Sequence, residues 1–138
     1  MIVTDASVWV SHLIAHEIHH AFSRRWLTAV VQSRTIIAAP ALLLAEVGGA
    51  VARRTGDAAL GHQAVQHILS TPNLRLVYTD AKLALLAAEL AAAQRLRGAD
   101  ALYVAVAVQL KAPLVSWDNE HLSRAPDLLT AYTPDAAS

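Results

Sequence analysis

Four carboxylates stand at positions from which they could do chemistry together. Asp5 follows the β-branched run "IVT", and Asp118 follows the run "PLVSW", so each acid lies where a predicted buried strand ends. Glu46 interrupts the apolar segment "LLLAEVGGAV", and Asp100 opens the apolar segment "ADALYVAVAVQL". Carboxylates gathered in one pocket repel one another, and a hard divalent cation such as Mg²⁺ or Mn²⁺ would offset that repulsion.

Three of these acids also have an ordinary structural explanation when each is taken alone. Asp5 and Asp118 are well placed to cap a helix or a turn. Asp100 in the first turn of a helix interacts favourably with the helix dipole. The case for a shared site therefore depends on whether the fold brings the acids together.

Glu46 is the acid that is hardest to explain by local structure. Its helical neighbours are apolar or small on nearly every side, so its carboxylate loses water unless a cation or donors such as Arg53 compensate. Gly48 and Gly49 beside it each cost roughly 1 kcal/mol of helix propensity relative to Ala, which indicates close packing or access near this acid. We favour a metal site over pairing with an arginine.

The elements that position these acids alternate between strand and helix. Strands are predicted for "IVT", "RTIIAAP", "LRLVY" and "APLVSW", with helices between them, one of which spans 16–32. Pro40 is expected as the first residue of its helix, and Gly56 and Gly98 are expected to end helices. Such alternation predicts a mainly parallel sheet, in which the carboxyl ends of the strands line a ligand crevice. "DLLTAY" is a brief further segment, and 133–138 is expected to be a frayed tail.

The bulk composition limits the class of protein. A chain of 138 residues is long enough for one core. Basic and acidic residues each number 11, so nucleic-acid binding would depend on local patches. There is no cysteine, which leaves oxygen or imidazole ligands for any metal. Apolar residues make up 55% and charged residues 16%, which indicates a buried partner surface. No apolar run reaches the length of a membrane span, and a soluble, cytoplasmic protein is expected.

Three segments, "IVTDASVWV", "PALLLAEVGGAV" and "RGADALYVAVAVQLKAPLVSWD", resemble the PIN-domain ribonucleases, and within them the VapC-like toxins of bacterial toxin-antitoxin pairs. The resemblance covers nearly the whole chain and implies a single PIN domain over 1–138, with a PIN-like three-layer α/β/α sandwich. It matches Asp5, Glu46, Asp100 and Asp118 to the acidic quartet of the family, and Ser7 and Ser116 to supporting hydroxyl residues.

The resemblance implies a Mg²⁺-dependent endoribonuclease, with Mn²⁺ as the alternative ion, that leaves 5′-phosphate and 3′-hydroxyl ends. Asp5 and Asp100 are then the strongest metal ligands, and Asp118 completes the site. Whether Glu46 acts on the metal directly or through water stays open. The implied partners are a cognate antitoxin, the RNA substrate and a second copy of the chain. Glu120 falls outside the matched set.

Two rival functions remain at this stage. One is a non-catalytic PIN-like module that binds RNA or protein and uses the acids as structural caps. The other is a nucleotide-binding α/β domain, which is ranked last because neither G-x-G-x-x-G nor a P-loop follows any predicted strand.

The remaining polar and aromatic groups are interpreted as structural. His16, His19 and His20 have helical spacing and could bind a transition metal, but no acid beyond Glu17 accompanies them, so we expect surface residues near a partner or RNA. Arg24, Arg25, Arg53 and Arg54 offer phosphate contacts or merely solvated helix faces, and Trp9, Trp26 and Trp117 are expected as core or interface anchors.

Overall fold

Five strands and seven helices occur in the part of the chain that the computed structural model describes, residues 1–125 and 127–136. The strands are β1 (Ile2–Thr4), β2 (Ile37–Pro40), β3 (Leu74–Val77), β4 (Leu114–Val115) and β5 (Ala131–Tyr132). The helices are α1 (Ala6–Leu13), α2 (His20–Gln32), α3 (Leu43–Thr55), α4 (Ala58–Leu69), α5 (Ala81–Gln94), α6 (Gly98–Leu110) and α7 (Asn119–Arg124).

The strands form one sheet in the order β3-β2-β1-β4-β5. Every pairing among the described strands is parallel, which sharpens the prediction of a mainly parallel sheet. From β1 the chain moves outward through β2 to β3, then returns across the sheet to β4 and β5. Because crossovers between parallel strands are right-handed, α1 to α4 cover one face and α5 to α7 cover the other. The predicted three-layer α/β/α sandwich is confirmed.

The core lies on both faces of the three central strands. Val3, Ile37 and Leu114 are completely buried. Helix α6 packs against β1, β2 and β4, and the five residues from Tyr103 to Ala107 are at most 1% exposed. The sequence of α6 has no polar face, which is typical of a helix buried on all sides.

Pro40 was expected to begin a helix, but it is the last residue of β2, and α3 begins at Leu43. Pro40 pairs with Val77 of β3. On its other side, β1 pairs with β2 only at Ile37 and Ala38, so Pro40 lies past the end of that ladder. A proline is tolerated there because its missing N–H is not needed by the neighbouring strand.

Gly98 was expected to end the helix that begins after Asp80, but α5 ends at Gln94 and Gly98 begins α6. Arg95 takes the left-handed conformation at φ 56°. The next residue, Leu96, is only 6% exposed and donates its N–H to Ala91 O at 3.1 Å. Burial of Leu96 thus stabilises a helix end at which sequence preference favours glycine.

The helix predicted over 16–32 begins later, at His20. Tight turns join it to α1, with Glu17 N–H donating to Ile14 O and His20 N–H to Glu17 O, each at 3.1 Å. Ile14 is buried at 5% exposure, and Glu17 pairs with Arg54 of α3. These contacts stabilise a turn between α1 and α2, although the spacing of apolar residues in this segment is typical of a helix.

Helices α3 and α4 approach each other closely at a pair of glycines, as Gly48 in the sequence indicated. A Cβ atom on Gly61 would lie 2.7 Å from the carbonyl oxygen of Gly48. A Cβ on Gly48 would lie 3.0 Å from Val65 Cγ2. Side chains at these positions would push the two helices apart.

The predicted frayed tail lies partly outside the described residues, which end at 136. Within it, residues 133–136 form a turn in which Ala136 N–H donates to Thr133 O at 3.1 Å. Among the described residues, no helix combines the length and apolar character that crossing a bilayer requires.

Candidate active site

The carboxyl ends of β1 and β4 mark the place where the strand order reverses. The helices that follow these two neighbouring strands lie on opposite faces of the sheet, which leaves a crevice between the strand ends. Asp5 comes directly after β1, and Ser116 directly after β4, with Asp118 two residues further on. Both strand-end acids therefore face the position at which α/β proteins usually bind ligands.

Asp5 is 2% exposed, and its carboxylate is fully engaged. Its Oδ1 atom accepts from Ser7 N–H at 3.0 Å and from Ser7 Oγ at 2.5 Å. Its Oδ2 atom accepts from Ser116 Oγ and from His121 Nδ1, the latter at 2.7 Å. A carboxylate has about four acceptor positions, so these four donors occupy all of them.

His121, which the sequence analysis did not select, lies between two of the predicted acids. It is 1% exposed on α7. Its Nδ1 atom contacts Asp5 Oδ2, and its Nε2 atom lies 3.1 Å from Asp100 O and 3.7 Å from Asp100 Oδ1. Both partners offer acceptor oxygens, an arrangement that favours the imidazolium form, in which both ring nitrogens donate. Burial disfavours that charge, but the hydrogen bond and charge of Asp5, with the charge of Asp100, outweigh it and raise the pKa of His121.

One sequence signal could have identified His121. It stands three residues after Asp118, the N-cap of α7, and is thus carried on the first turn of a helix that starts at a strand end. Asp118 Oδ1 accepts from His121 N–H at 3.3 Å and from Glu120 N–H at 2.8 Å. The capping role weighed for Asp118 is therefore real, and through it Asp118 orients His121.

Asp100 is in the first turn of α6, and its side chain is 22% exposed. Burial raises the pKa of its carboxyl above the ordinary range, and the charge of His121 opposes this rise. The carboxylates of Asp118, Asp5 and Glu120 raise the pKa further, in that order. These acids thus share one electrostatic environment, in which bringing in a positive charge is favourable.

Glu46 is in the first turn of α3, and its Oε1 atom accepts a hydrogen bond from the hydroxyl of Tyr103 on α6. The alternative partner weighed from the sequence was an arginine, whereas the observed partner is this tyrosine. Tyr103 is 1% exposed, and burial, then the bond and charge of Glu46, raise its pKa far above the ordinary value. The charges of Asp5 and Asp100 act on Tyr103 in the same direction, so Glu46 belongs to the same neighbourhood.

The two predicted supporting serines connect the ends of β1 and β4. Ser7 Oγ donates to Asp5 and accepts from Trp117 N–H at 2.9 Å. Ser116 Oγ donates to Asp5 and accepts from Asp118 N–H at 2.8 Å. Each hydroxyl links Asp5 to the segment that carries Asp118.

The donor set fits a hard cation in its chemistry, because Mg²⁺ prefers carboxylate oxygens. Within residues 1–125 and 127–136, however, no three or more His, Asp or Glu side chains are arranged to hold a metal ion. All four acceptor positions of Asp5 are filled by hydrogen-bond donors. A cation could take this carboxylate only if one of the donors gave way.

Two of the clustered histidines have structural contacts. His19 stacks on Trp117 with ring centroids 3.7 Å apart, and His20 Nδ1 lies 2.9 Å from Ser11 O. His16 is exposed, as expected. Of the remaining groups singled out from the sequence, Trp9 and Trp26 are buried, Trp117 is half-buried, and Arg24, Arg25, Arg53 and Arg54 are exposed.

Comparisons with known proteins agree with this architecture. The sequence matches the family model of the PIN domain over residues 2–128. VapC20 of Mycobacterium tuberculosis, described as a sarcin-ricin loop cleaving toxin, has a TM-score of 0.74 at 21% identity, covering 89% of this chain and 94% of that one. VapBC2 of Rickettsia felis, bound to a fragment of promoter DNA, has a TM-score of 0.73 at 19% identity, covering 96% and 98%.

FitAcB of Neisseria gonorrhoeae has a TM-score of 0.71 at 17% identity, covering 97% of this chain and 98% of that one. No curated protein matches the sequence. At identities this low, the similarity to the solved structures establishes a common fold.

Proposed function

The chain belongs to the PIN-domain family, and from this premise we propose that it is a divalent-metal-dependent endoribonuclease. The observation that carries the proposal is the placement of Asp5 and Asp118 at adjoining strand ends, with Asp100 tied to Asp5 through one buried histidine. The accumulated negative charge at this crevice would repel an RNA phosphate unless a cation accompanied it.

Each acid has a role in this proposal. Asp5 and Asp100 hold the metal ion, Asp118 completes the site, and Glu46 acts on the ion directly or through a water. Mg²⁺ is the expected ion and Mn²⁺ the alternative. When bound, the ion supplies charge stabilisation for the phosphoryl oxygens and an acidified water for attack on the phosphodiester. The expected products carry 5′-phosphate and 3′-hydroxyl ends.

Hydrogen bonds from neighbouring side chains orient the acids for metal binding. The hydroxyls of Ser7 and Ser116 hold the Asp5 carboxylate in one orientation across the crevice. Tyr103 does the same for Glu46, from a position buried beneath the site. Metal sites require hydrogen bonds of this kind, because hydrogen bonds to the ligand side chains hold the ligands in the orientation that binds the ion.

We further propose that the nuclease is the toxin of a toxin-antitoxin pair. The support is the fold shared with VapC20, described as a toxin, and with VapBC2. A cognate antitoxin would cover part of the apolar surface and block the acidic crevice, and a homodimer and a cytoplasmic location accompany this proposal. The apolar fraction of 55% supports a partner surface.

A test is cleavage of total RNA by the purified protein with Mg²⁺, with EDTA, and in the variants Asp5→Asn and Asp100→Asn. We expect discrete cuts that require the metal and fall by at least about 100-fold in either variant, because each loses a charged ligand. Glu89→Gln is the control, since Glu89 is an exposed residue of α5. Mapping the ends checks the predicted 5′-phosphates.

The second candidate is a non-catalytic PIN-like module that binds RNA or protein. Two observations favour this function. All acceptor positions of the Asp5 carboxylate are occupied by hydrogen-bond donors, and Asp118 caps α7, so both acids have a structural role. A folded protein that cuts no RNA over a broad set of substrates and metals, and whose Asp5→Asn variant loses only stability, would establish this alternative.

A further inference from the structure

Two histidines outside the acidic crevice point their ring nitrogens at each other. His12 is on α1 and His67 is on α4, and their Nε2 atoms are 3.2 Å apart. The ring centroids are 5.2 Å apart, and the planes are inclined by 41°. The two residues are 55 positions apart in sequence, so packing of α1 near α4 creates the pair.

The distance between the two nitrogens suits a metal ion as well as it suits a hydrogen bond. Histidine nitrogens bind Zn²⁺ at about 2.0 to 2.1 Å, so two of them at tetrahedral angles lie about 3.3 to 3.4 Å apart. The observed 3.2 Å is close to that separation. Binding of an ion would require only a small outward movement of one imidazole ring. His67 is exposed, so its ring has space to move.

Two electrostatic influences act at this point in opposite directions: the helix ends attract a cation, whereas burial and the nearby cationic groups oppose one. Both histidines lie in the last turn of their helices, where the unpaired carbonyls carry the negative end of the helix dipole. Burial, followed by the charges of His67, His20 and Arg24, lowers the pKa of His12 to about 4. His12 is therefore neutral near pH 7, the form in which imidazole binds metals.

There is room beside the pair for the rest of a coordination shell. A cavity of about 420 Å³ is lined by both histidines together with Gln32 and Thr71. A second cavity, of about 470 Å³, is lined by His67 and Gln63. No third histidine or acid of the described residues completes the set, so water would occupy the other positions. An ion held in this way would exchange readily.

We propose that His12 and His67 form a two-histidine site for a borderline divalent ion, Zn²⁺ or Ni²⁺, that joins the ends of α1 and α4. Its imidazole donors differ in kind from the oxygen donors of the acidic crevice, and they select against Mg²⁺. The site does not depend on the proposed nuclease activity. Its occupation would stabilise the folded chain by linking α1, which lies between β1 and β2, to α4, which lies between β2 and β3.

Isothermal titration with Zn²⁺ and with Ni²⁺ near neutral pH tests the site on the full chain. Because the acidic crevice would also take these ions, we expect up to two ions per chain for the native protein. The binding event at the histidine pair should be at least about tenfold weaker in His12→Gln and in His67→Gln. His62→Gln is the matched control, because His62 is an exposed histidine of the same α4 helix. The rise in melting temperature with Zn²⁺ should be larger in the native protein and in this control than in His12→Gln or His67→Gln.

Two outcomes would overturn the proposal. One is equal affinity in the native protein and in His67→Gln, a change at an exposed position that leaves the fold intact. The other is binding that survives in both pair variants and disappears in His16→Gln or His19→Gln, which would place the ion at the histidines preceding α2. Circular dichroism of each variant establishes that loss of binding is not loss of folding.

Discussion

At the scale of single residues, His121 decides how the acidic crevice is organised. It is almost fully buried and lies between the carboxylate of Asp5 and the carbonyl of Asp100. The raised pKa of His121 favours its imidazolium form, whose positive charge reduces the repulsion between the acids. Removing one partner of a buried ion pair is costly because the other charge stays desolvated.

Accordingly, we expect His121→Ala to lower the free energy of unfolding by about 3 kcal/mol, which combines the lost pair with a new cavity. Urea denaturation near neutral pH measures this change. His62→Ala, at an exposed position, should change stability by less than about 0.5 kcal/mol. Equal stabilities for the two variants would contradict the assigned role of His121.

His12 predicts a dependence of stability on pH. Its pKa is 6.5 in the unfolded chain and about 4 in the folded one. Between these values the unfolded state binds more protons, so stability falls as the pH decreases from 6.5 towards 4 and is unaffected above 6.5. The groups facing His12 are His67, His20 and Arg24.

The measurement is urea denaturation of the native protein and of His12→Gln at pH 7 and pH 5. Allowing for solvent screening, the native protein should lose about 1 kcal/mol more than the variant over this interval. A native protein whose loss is no greater than that of His12→Gln would show that this histidine does not carry the effect.

At the scale of elements, the contact between α3 and α4 depends on two glycines. Replacing Gly61 with Ala would place a methyl group 2.7 Å from the backbone oxygen of Gly48, which cannot move without shifting α3. We expect Gly61→Ala to destabilise the protein by about 1 to 3 kcal/mol, as overpacking does.

Gly98→Ala is the control for this prediction, because nothing lies within 4 Å of a Cβ atom at Gly98. It begins α6, and alanine there should be neutral or stabilising by up to about 1 kcal/mol. Thermal unfolding of both variants separates the close contact from the general effect of losing a glycine. Stabilisation by both changes would mean that α3 and α4 are not closely packed.

At the scale of the whole molecule, the surface carries large apolar side chains in several regions. Ile18, Tyr78 and Leu85 are 84%, 80% and 68% exposed. With charged residues at only 16%, few repulsive groups keep copies of the chain apart.

We therefore expect the purified chain to form a dimer of twice 14.7 kDa, measured by light scattering after size-exclusion chromatography. Association through apolar surface should persist in about 1 M salt, where charge attraction is screened. A single 14.7 kDa species at every concentration tested would rule out the homodimer.

The sequence by itself determined the alternation of strands and helices and the apolar character of α6. It also placed two acids at strand ends, one at a helix start and one inside a helix. Periodicity and capping are local, so a few neighbouring residues are enough to specify them. An α/β sandwich with a mainly parallel sheet followed, because parallel strands joined by right-handed helical connections have few possible arrangements. Its PIN-like form was implied by the resemblance of three segments to that family.

The tertiary structure decided which side chains meet. His121 contacts Asp5 across 116 positions, and Tyr103 contacts Glu46 across 57. The left-handed Arg95 in place of the expected glycine depends on the burial of Leu96. No local pattern contains such pairings, because strand order and helix packing bring distant residues together, and contact energies then outweigh intrinsic preference.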